Sequence, residues 1–493
     1  MKPTFIFSLL SLLVHLSLGA QTDTLSLSLQ EIVALAQSDA PDALLAETRM
    51  KNRYWFYQSI LADFKPRITF SGDLPDLNRT IDIITQPDGT DLFLQRAQMR
   101  NRMGLSLQQQ IAPTGGTVFA STGLQRLDIF QTDKPDVVSY FSTPLSVGII
   151  QPVFGFNQLK WNKKIEPLRY QEATREYAEQ MENVAYQASQ FFFDIFIAQL
   201  NLQAARQDKA NADTLFNISK GRFEVGRIAE TELLQIELSS MNADAAVQQA
   251  LLDLQSGTER LRNFLGIRQA IFFRLDAPTN IPVFAIDPQQ ALQYARDYRS
   301  DIIAFQRRLA EADAEVARAR ANRGFQMDIF GQFSLSQTGS KLDEAFKDPL
   351  DNERFSIGVE IPIFDWGKSR AQLETAWSNR ELERMNVEVE MVNFEQEILL
   401  KVKQFDLLRN QVDLALRAYD ISLKREEMTR NRYYIGKISV LDLGVAVTEK
   451  EAARRSFMNA LRSFWLAYYD LRRTTLFDFE RGVPLVRRVT PDK

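Results

Sequence analysis

"RFEVGRIAETELL" spans Arg222–Leu234 and "RYYIGKISVLDLG" spans Arg432–Gly444. Each places a glycine, Gly226 or Gly436, inside a stretch that otherwise reads as helix, and the two glycines lie 210 residues apart. Glycine accepts the left-handed conformation that a helix C-terminus needs, so each marks where one helix reverses into the next. The same offset aligns the neighbouring sequence without a gap. "SVGIIQPVFGF" (Ser146–Phe156) falls on "SIGVEIPIFDW" (Ser356–Trp366), so Ser146, Gly148, Pro152 and Phe154 meet Ser356, Gly358, Pro362 and Phe364. Further on, Ile228 meets Ile438, Leu233 meets Leu443 and Leu261 meets Leu471. A second offset, 259, puts "LQEIVALAQSDAPD" (Leu29–Asp42) on "PQQALQYARDYRSD" (Pro288–Asp301) and Gly72 on Gly331. The chain therefore reads as two copies, 24–270 and 284–480, joined by "APTNIPVF" (277–284) and followed by a tail, 481–493. The two offsets differ by 49 residues, which the first copy carries as an insertion near 75–143. Two copies are too few for a self-stacking repeat array.

The periodicity predicts long helices over 157–225 and 367–435, where apolar residues such as Ile398, Val402, Phe405, Val412 and Tyr419 recur at near-heptad spacing. Each would be roughly 100 Å long at 1.5 Å per residue. Past each glycine the chain is helical again, over 228–265 and 438–475, and shorter entry helices are predicted near 41–63 and 300–322. A return helix and an entry helix laid end to end match one long helix in length.

Strands lie between the entry and long helices. "RITFSGDL", "MGLSLQQQI", "TVFASTGL" and "PLSVGIIQPVF" fall in the first copy, and "QMDIFGQFSLS" and "RFSIGVEIPIF" in the second. In the last of these, Phe355, Ile357, Val359 and Ile361 alternate with Ser356, Gly358 and Glu360. Half-buried strands of any antiparallel sheet alternate so, and so do the strands of a membrane barrel. No segment after residue 20 is apolar enough to span a membrane as a helix; "FFFDIFIA" (Phe191–Ala198) is short and holds Asp194. A membrane crossing would need strands, and strands in lipid must close into a barrel. Four to six strands are too few for one chain, because such barrels begin at about eight. Three chains giving four strands each would make twelve.

Composition bounds the chemistry. The net charge of −4 gives no basic footprint for nucleic acid. The N-terminal "MKPTFIFSLLSLLVHLSLGA" reads as a signal peptide, 1–20, with cleavage after Ala20. The only histidine, His15, lies inside it, and the chain has no cysteine. A mature chain without either residue cannot build histidine-assisted nucleophilic sites or thiolate and imidazole metal sites. No enzyme, metal or cofactor is expected.

In order, and written twice, these motifs resemble the TolC-like outer-membrane efflux proteins. The residues that carry the resemblance are "SLQEIVALAQSDAPD", "DPQQALQYARDYRSD", the junctions "QPVFGF" and "IPIFDWG", and the turns "FEVGRIAETELL" and "YYIGKISVLDL". The resemblance implies a mainly helical fold with a membrane β-barrel portion. Three chains would pool their strands into one 12-stranded outer-membrane barrel, and long antiparallel helical hairpins would form a periplasmic tunnel. It implies partners as well: two further copies of the chain, outer-membrane lipid, a periplasmic adaptor and an inner-membrane transporter whose efflux or type I secretion cargo the channel conducts passively. The turns Val225-Gly226-Arg227 and Ile435-Gly436-Lys437 would meet the adaptor. Asp442, with Glu232 as its first-copy counterpart, matches an acidic position at the family's tunnel mouth. A second acidic position of that mouth falls on Val445 here. For Asp442 the residues also support a plainer reading, a carboxylate favoured by the positive end of its helix. Tyr433 and Arg432 could lock the mouth or pack within the chain. Pro152, Phe154, Pro362 and Phe364 mark the strand-to-helix junctions. The competing reading is a periplasmic coiled-coil structural or adaptor-like protein without a barrel, which accounts for the helices but not for strands between them in both copies.

Overall fold

The computed structural model describes residues 24–131, 135–269, 271–276, 278, 281–282 and 284–486. The expected signal peptide, residues 487–493 of the tail and parts of the linker (277, 279–280 and 283) lie outside the described residues.

The element order runs twice. First come β1 (Thr24–Leu27), α1 (Leu29–Asp39), α2 (Pro41–Asp63), four strands and the helix pair α3 (Gln158–Glu224) and α4 (Glu230–Phe264). The four strands are β2 (Arg67–Thr85), β3 (Asp91–Ile111), β4 (Gly116–Phe130) and β5 (Val137–Val153). After β6 (Phe272–Leu275) come α5 (Pro288–Tyr298), α6 (Ser300–Arg323), β7 (Gln326–Gly339), β8 (Leu350–Glu360), α7 (Lys368–Tyr434) and α8 (Val440–Thr475). The long helices α3 and α7 are each 67 residues, and both end within two residues of their glycine.

Two compact units divide the chain, and each takes part of α3 and α7. The first gathers the residues up to Ala46, Gln180–Ala291 and Leu400–Val483. Its core is aromatic. Phe192 and Phe193 of α3 and Phe464 of α8 are fully buried, and Phe405 of α7 nearly so. The run 191–198, too short to span a bilayer, is thus core, and its Asp194 is ion-paired with Arg462 at 2.8 Å. Helices within this unit are tied by charge as well as by apolar contact. Glu182 of α3 receives Arg472 of α8 at 3.0 Å, while burial pushes the Glu182 carboxyl above its ordinary range. Asp470 of α8 receives Lys401 of α7 at 2.6 Å and Arg473 at 2.6 Å. Burial opposes its ionisation, but these two cations outweigh it and hold the Asp470 carboxyl below the usual range. At the edge of the unit β1 pairs in parallel with β6, clipped by Gln199, whose side chain donates to Phe273 O at 2.5 Å and accepts from Leu275 N at 3.2 Å. Helix α1 starts on a capping box, Ser28 with Glu31, which satisfies two otherwise orphaned amides.

The second unit holds Glu47–Glu179 and Leu292–Leu399. Here Tyr57 of α2 stacks on Tyr170 of α3 at 4.9 Å, and Arg169 of α3 bonds Glu311 of α6 at 2.6 Å. Arg308 of α6 reaches α7, pairing with Glu390 and Glu383. The unit carries one six-stranded antiparallel sheet of order β2-β3-β4-β5-β7-β8. All six strand segments read from the sequence thus lie in this one sheet, whereas a twelve-stranded barrel of three chains would take four from each. By the two offsets β2 corresponds to β7 and β5 to β8, so β3 and β4 are the insertion. They do not leave the sheet; they are laid into it between β2 and β5. Alternation along β3 and β4 matches the pleat of their neighbours, so three ladders, β2-β3, β3-β4 and β4-β5, stand where there would otherwise be one.

Candidate functional site

Each long helix ends in the same hydrogen-bonded turn. Gly226 N donates to Phe223 O at 2.8 Å and Arg227 N to Arg222 O at 2.8 Å; Gly436 N donates to Tyr433 O at 2.9 Å and Lys437 N to Arg432 O at 3.0 Å. This paired pattern is a Schellman motif, which closes a helix only if one residue turns left-handed. Gly226 has φ 69° and Gly436 φ 73°, and a Cβ at either position would meet nothing. Glycine is required there for its backbone, not for space.

Around the glycines the predicted tip residues fall into two groups. Val225 and Ile435 are exposed, as are Arg227, Lys437 and Arg432. Tyr433 is instead buried, with its hydroxyl 3.4 Å from Ser219 Oγ and the Arg222 guanidinium 5.6 Å from its ring centroid. Arg222 also donates to Tyr434 O at 3.2 Å, so the two turns are joined. The Tyr433 side chain is thus packed within the chain. The turns line an open cleft of about 790 Å³ that includes Arg227, Glu232, Tyr433 and Gly436. Asp442 is exposed and completes a capping box: its carboxylate accepts from Ser439 Oγ at 2.8 Å and Ser439 N at 3.2 Å. Glu232, at the matching place in α4, makes no such cap, because the residue before that helix is Ala229.

The strand-to-helix junctions are built differently in the two copies. In the first, Phe154 (φ 67°) turns the chain and its ring lies 5.7 Å from Phe325, while Asn157 caps α3 by accepting from Lys160 N at 3.0 Å. Asn157 also donates to Ala112 O at 2.9 Å, and Gln109 donates to Phe64 O at 2.9 Å. The lower turn of the inserted hairpin is thus fastened to the end of α2 and the start of α3. In the second copy Asp365 caps α7, accepting from Ser369 N at 2.9 Å. There Pro362 and Phe364 are exposed, and Ile363 and Trp366 are 93% and 90% exposed.

The sheet has two chemically distinct faces. On one, Ile68, Leu107, Ala120, Val147 and Phe333 lie directly opposite one another from β2 to β7, and the row ends at Glu353 on β8. Beside it Phe70, Leu105, Val118, Ile149, Phe355, Ile357 and Val359 are exposed on the same face. On the other face the next row reads Thr69, Ser106, Ser121, Ser146, Ser334 and Asn352, one residue from every strand. Soluble chains rarely leave so wide an apolar surface open. One apolar and one polar face is the pattern of a barrel strand set with lipid outside and water inside.

Sequence reasoning missed a second unpartnered surface. Leu400, Leu407, Leu414, Ile421 and Met428 are all exposed on α7 at a seven-residue spacing, and Leu234, Leu238 and Met241 form a similar exposed row on α4. The heptad was legible, but only the structure separates its buried face (Ile398, Val402, Phe405) from this open one. Among the described residues no helix is long and apolar enough to cross a membrane, and no cluster of side chains could hold a metal ion.

Comparison with known proteins agrees with these surfaces. The family model described as Outer membrane efflux protein matches residues 117–267 and 290–475. The chain is 27% identical over 211 residues to Outer membrane efflux protein BepC of Brucella suis biovar 1 (strain 1330); this covers 42% of the chain and 44% of BepC, so the chain spans less than half the length of that curated relative. The fold is similar to the Campylobacter jejuni CmeC outer membrane channel, with a TM-score of 0.67 and 18% identity over 93% of this chain and 87% of that one. It is also similar to the open state of the Neisseria gonorrhoeae MtrE outer membrane channel, with a TM-score of 0.61 and 14% identity over 92% and 90% of the two chains. A periplasmic coiled coil without a barrel is not favoured, because it leaves the amphipathic sheet without a role.

Proposed function

The chain belongs to the outer membrane efflux protein family, and on that premise we propose that it acts as a passive outer-membrane conduit assembled from three copies. The observation that carries this reading is the six-stranded sheet with one apolar and one polar face. Its strands are 11 to 21 residues long, and about 9–11 tilted residues suffice to cross a bilayer. A single sheet with two open edges cannot stay in hydrocarbon, since each unpaired backbone group there costs several kcal/mol. Closure therefore needs further copies. The exposed heptad on α7 and the exposed row on α4 supply a second contact between copies, helix against helix, as apolar stripes of this spacing do in coiled coils.

In this reading the helices form a periplasmic tunnel, and the turns at Gly226 and Gly436 face a periplasmic adaptor and, through it, an inner-membrane transporter. Their exposed Val225 and Ile435, flanked by Arg227 and Lys437, offer an apolar contact ringed by positive charge. Asp442 and Glu232 line the entrance, where three copies of each carboxylate would favour cations. The test is reconstitution of the full chain. In detergent its mass should be that of three chains, and in planar bilayers it should conduct ions and favour cations. A stable monomer that still conducts would overturn the assembly, and a protein that never enters bilayers would overturn the conduit.

A further inference from the structure

The inserted hairpin changes the arithmetic of the barrel. We infer that β3 and β4 are full barrel strands, so that three copies close an 18-stranded barrel by pairing β8 of each copy with β2 of the next. This rests on the trimeric conduit proposed above and adds to it the identity of the edges and the width of the pore.

Four observations carry it. The first is continuity of both faces. Leu107 and Ala120 of the hairpin sit in the apolar row between Ile68 and Val147, and Ser106 and Ser121 sit in the polar row between Thr69 and Ser146. A one-residue slip would have reversed every side chain, so both strands are set for the same inside and outside as their neighbours. The second is packing across the seam. Gly148 of β5 lies against the Phe119 ring of β4, where a Cβ would come within 2.4 Å of the ring, and Phe119 in turn stacks on Phe330 of β7 at 6.3 Å. An aromatic ring laid over a strand glycine fixes register in curved sheets. The third is the anchoring of the lower turn by Asn157 and Gln109, which holds the hairpin at the level where β2 begins and β5 ends. A hairpin lying outside the barrel would need neither bond.

The fourth concerns the edges. Only β2 and β8 lack a neighbour on one side of the sheet, and the described side chains of both are exposed on both faces along almost their whole length. With six strands per chain, β2 and β8 run in opposite directions, so joining β8 to β2 keeps the barrel antiparallel throughout. An even total is also the rule for single outer-membrane barrels. Beside β8, Ile363, Phe364 and Trp366 stand almost free in the single chain, and a second copy at that edge would cover them. Register shifts at Asp73/Asp76, Ser121/Gly123 and Ser142/Leu145 bend strands on both sides of the hairpin, as closure of a barrel requires.

Barrel diameter grows roughly linearly with strand number, so 18 strands give a lumen about half again as wide as twelve. The added wall is mostly polar, with Ser106, Gln108 and Ser121 on the inward face and the Phe119 ring beside Gln108.

The test uses the full-length chain, which has no cysteine of its own. Single substitutions Leu107→Cys and Val118→Cys probe the outer face of the hairpin, and Gln108→Cys and Ser121→Cys its inner face. Ile357→Cys and Ser334→Cys on β8 and β7 serve as outer and inner references. Each variant is labelled with a bimane in vesicles containing brominated lipid, and its rate with a water-soluble maleimide is measured. Its mass is taken in detergent. The expected result is a trimer in which Leu107→Cys and Val118→Cys are quenched by lipid and label slowly, like Ile357→Cys, while Gln108→Cys and Ser121→Cys label fast, like Ser334→Cys. A trimer with Ile357→Cys quenched but all four hairpin positions open to water would overturn the 18-stranded barrel and leave the conduit standing. Loss of quenching at Ile357→Cys would overturn the conduit itself, and a mass other than three chains would overturn the trimeric assembly and with it the 18-stranded barrel.

Discussion

A glycine at φ near +70° and a glycine inside a helix respond in opposite ways to the same added methyl. At Gly226 and Gly436 nothing stands near a new Cβ, so the whole cost of substitution is backbone strain, about 1–2 kcal/mol for an L-residue forced left-handed. Gly444 lies within α8 with equally open surroundings. There Gly444→Ala should gain about 0.5–1 kcal/mol, because the unfolded chain has fewer states to lose. Thermal unfolding of Gly436→Val and Gly444→Ala, made separately, should shift the midpoint down and up. Two further substitutions separate charge from capping at the start of α8. Ser439→Ala removes the side chain that caps the Asp442 amide at 3.3 Å and should cost about 1 kcal/mol with ion selectivity unchanged. Asp442→Asn keeps an oxygen acceptor but removes the charge. It should lower cation selectivity, read as a smaller reversal potential under a salt gradient, with little loss of stability. An unchanged reversal potential would leave Asp442 as a cap alone.

At the scale of elements, helix pairs in the first unit are held by partly buried ion pairs whose strength depends on pH. The Asp470 carboxyl is held below its ordinary value of 3.8 by Lys401 and Arg473, against the opposing effect of burial. A carboxylate depressed in the folded state contributes stability that is present above the unfolded value and lost as pH falls through the folded one. Asp470→Asn should therefore destabilise at pH 7 by about 1.5–3 kcal/mol, the range for hydrogen bonds to charged groups. The gap from wild type should shrink once the pH is taken below 3.8, as unfolding midpoints at the two pH values would report. Such pairs could not be read from the sequence, because Lys401 and Asp470 are far apart in the chain and dozens of charges share the helix faces. The helices themselves could be read. A period near 3.6 over 67 residues and a glycine at each end leave few alternatives. The strands were legible one by one, from alternation, but not their neighbours. Nothing local to "MGLSLQQQI" says that it lies between β2 and β5, since pairing is decided by partners distant in sequence.

At the scale of the molecule the apolar surfaces left open by one chain are the strongest statement about its state. Leu414→Glu places a charge in the middle of the exposed heptad on α7. If that row is covered by a second copy, the trimer should weaken by at least about 2 kcal/mol, the low end of the cost of burying even an uncharged polar group without a partner. Sedimentation at decreasing protein concentration would show it, and an unaltered trimer would place the contact elsewhere. The sheet edges at β2 and β8 carry a different consequence, one of timing. Each edge exposes a column of amides and carbonyls that hydrocarbon cannot solvate, so a lone chain has no route into the bilayer. In the proposed trimer, three chains would have to meet in water, with their greasy faces still wet, before or while any of them enters. Delivery to the membrane is then a collision among equals rather than an event in the life of one molecule. Its rate should climb far more steeply than in proportion to the number of chains waiting, and a cell making this protein slowly would hold it in the periplasm, unfinished.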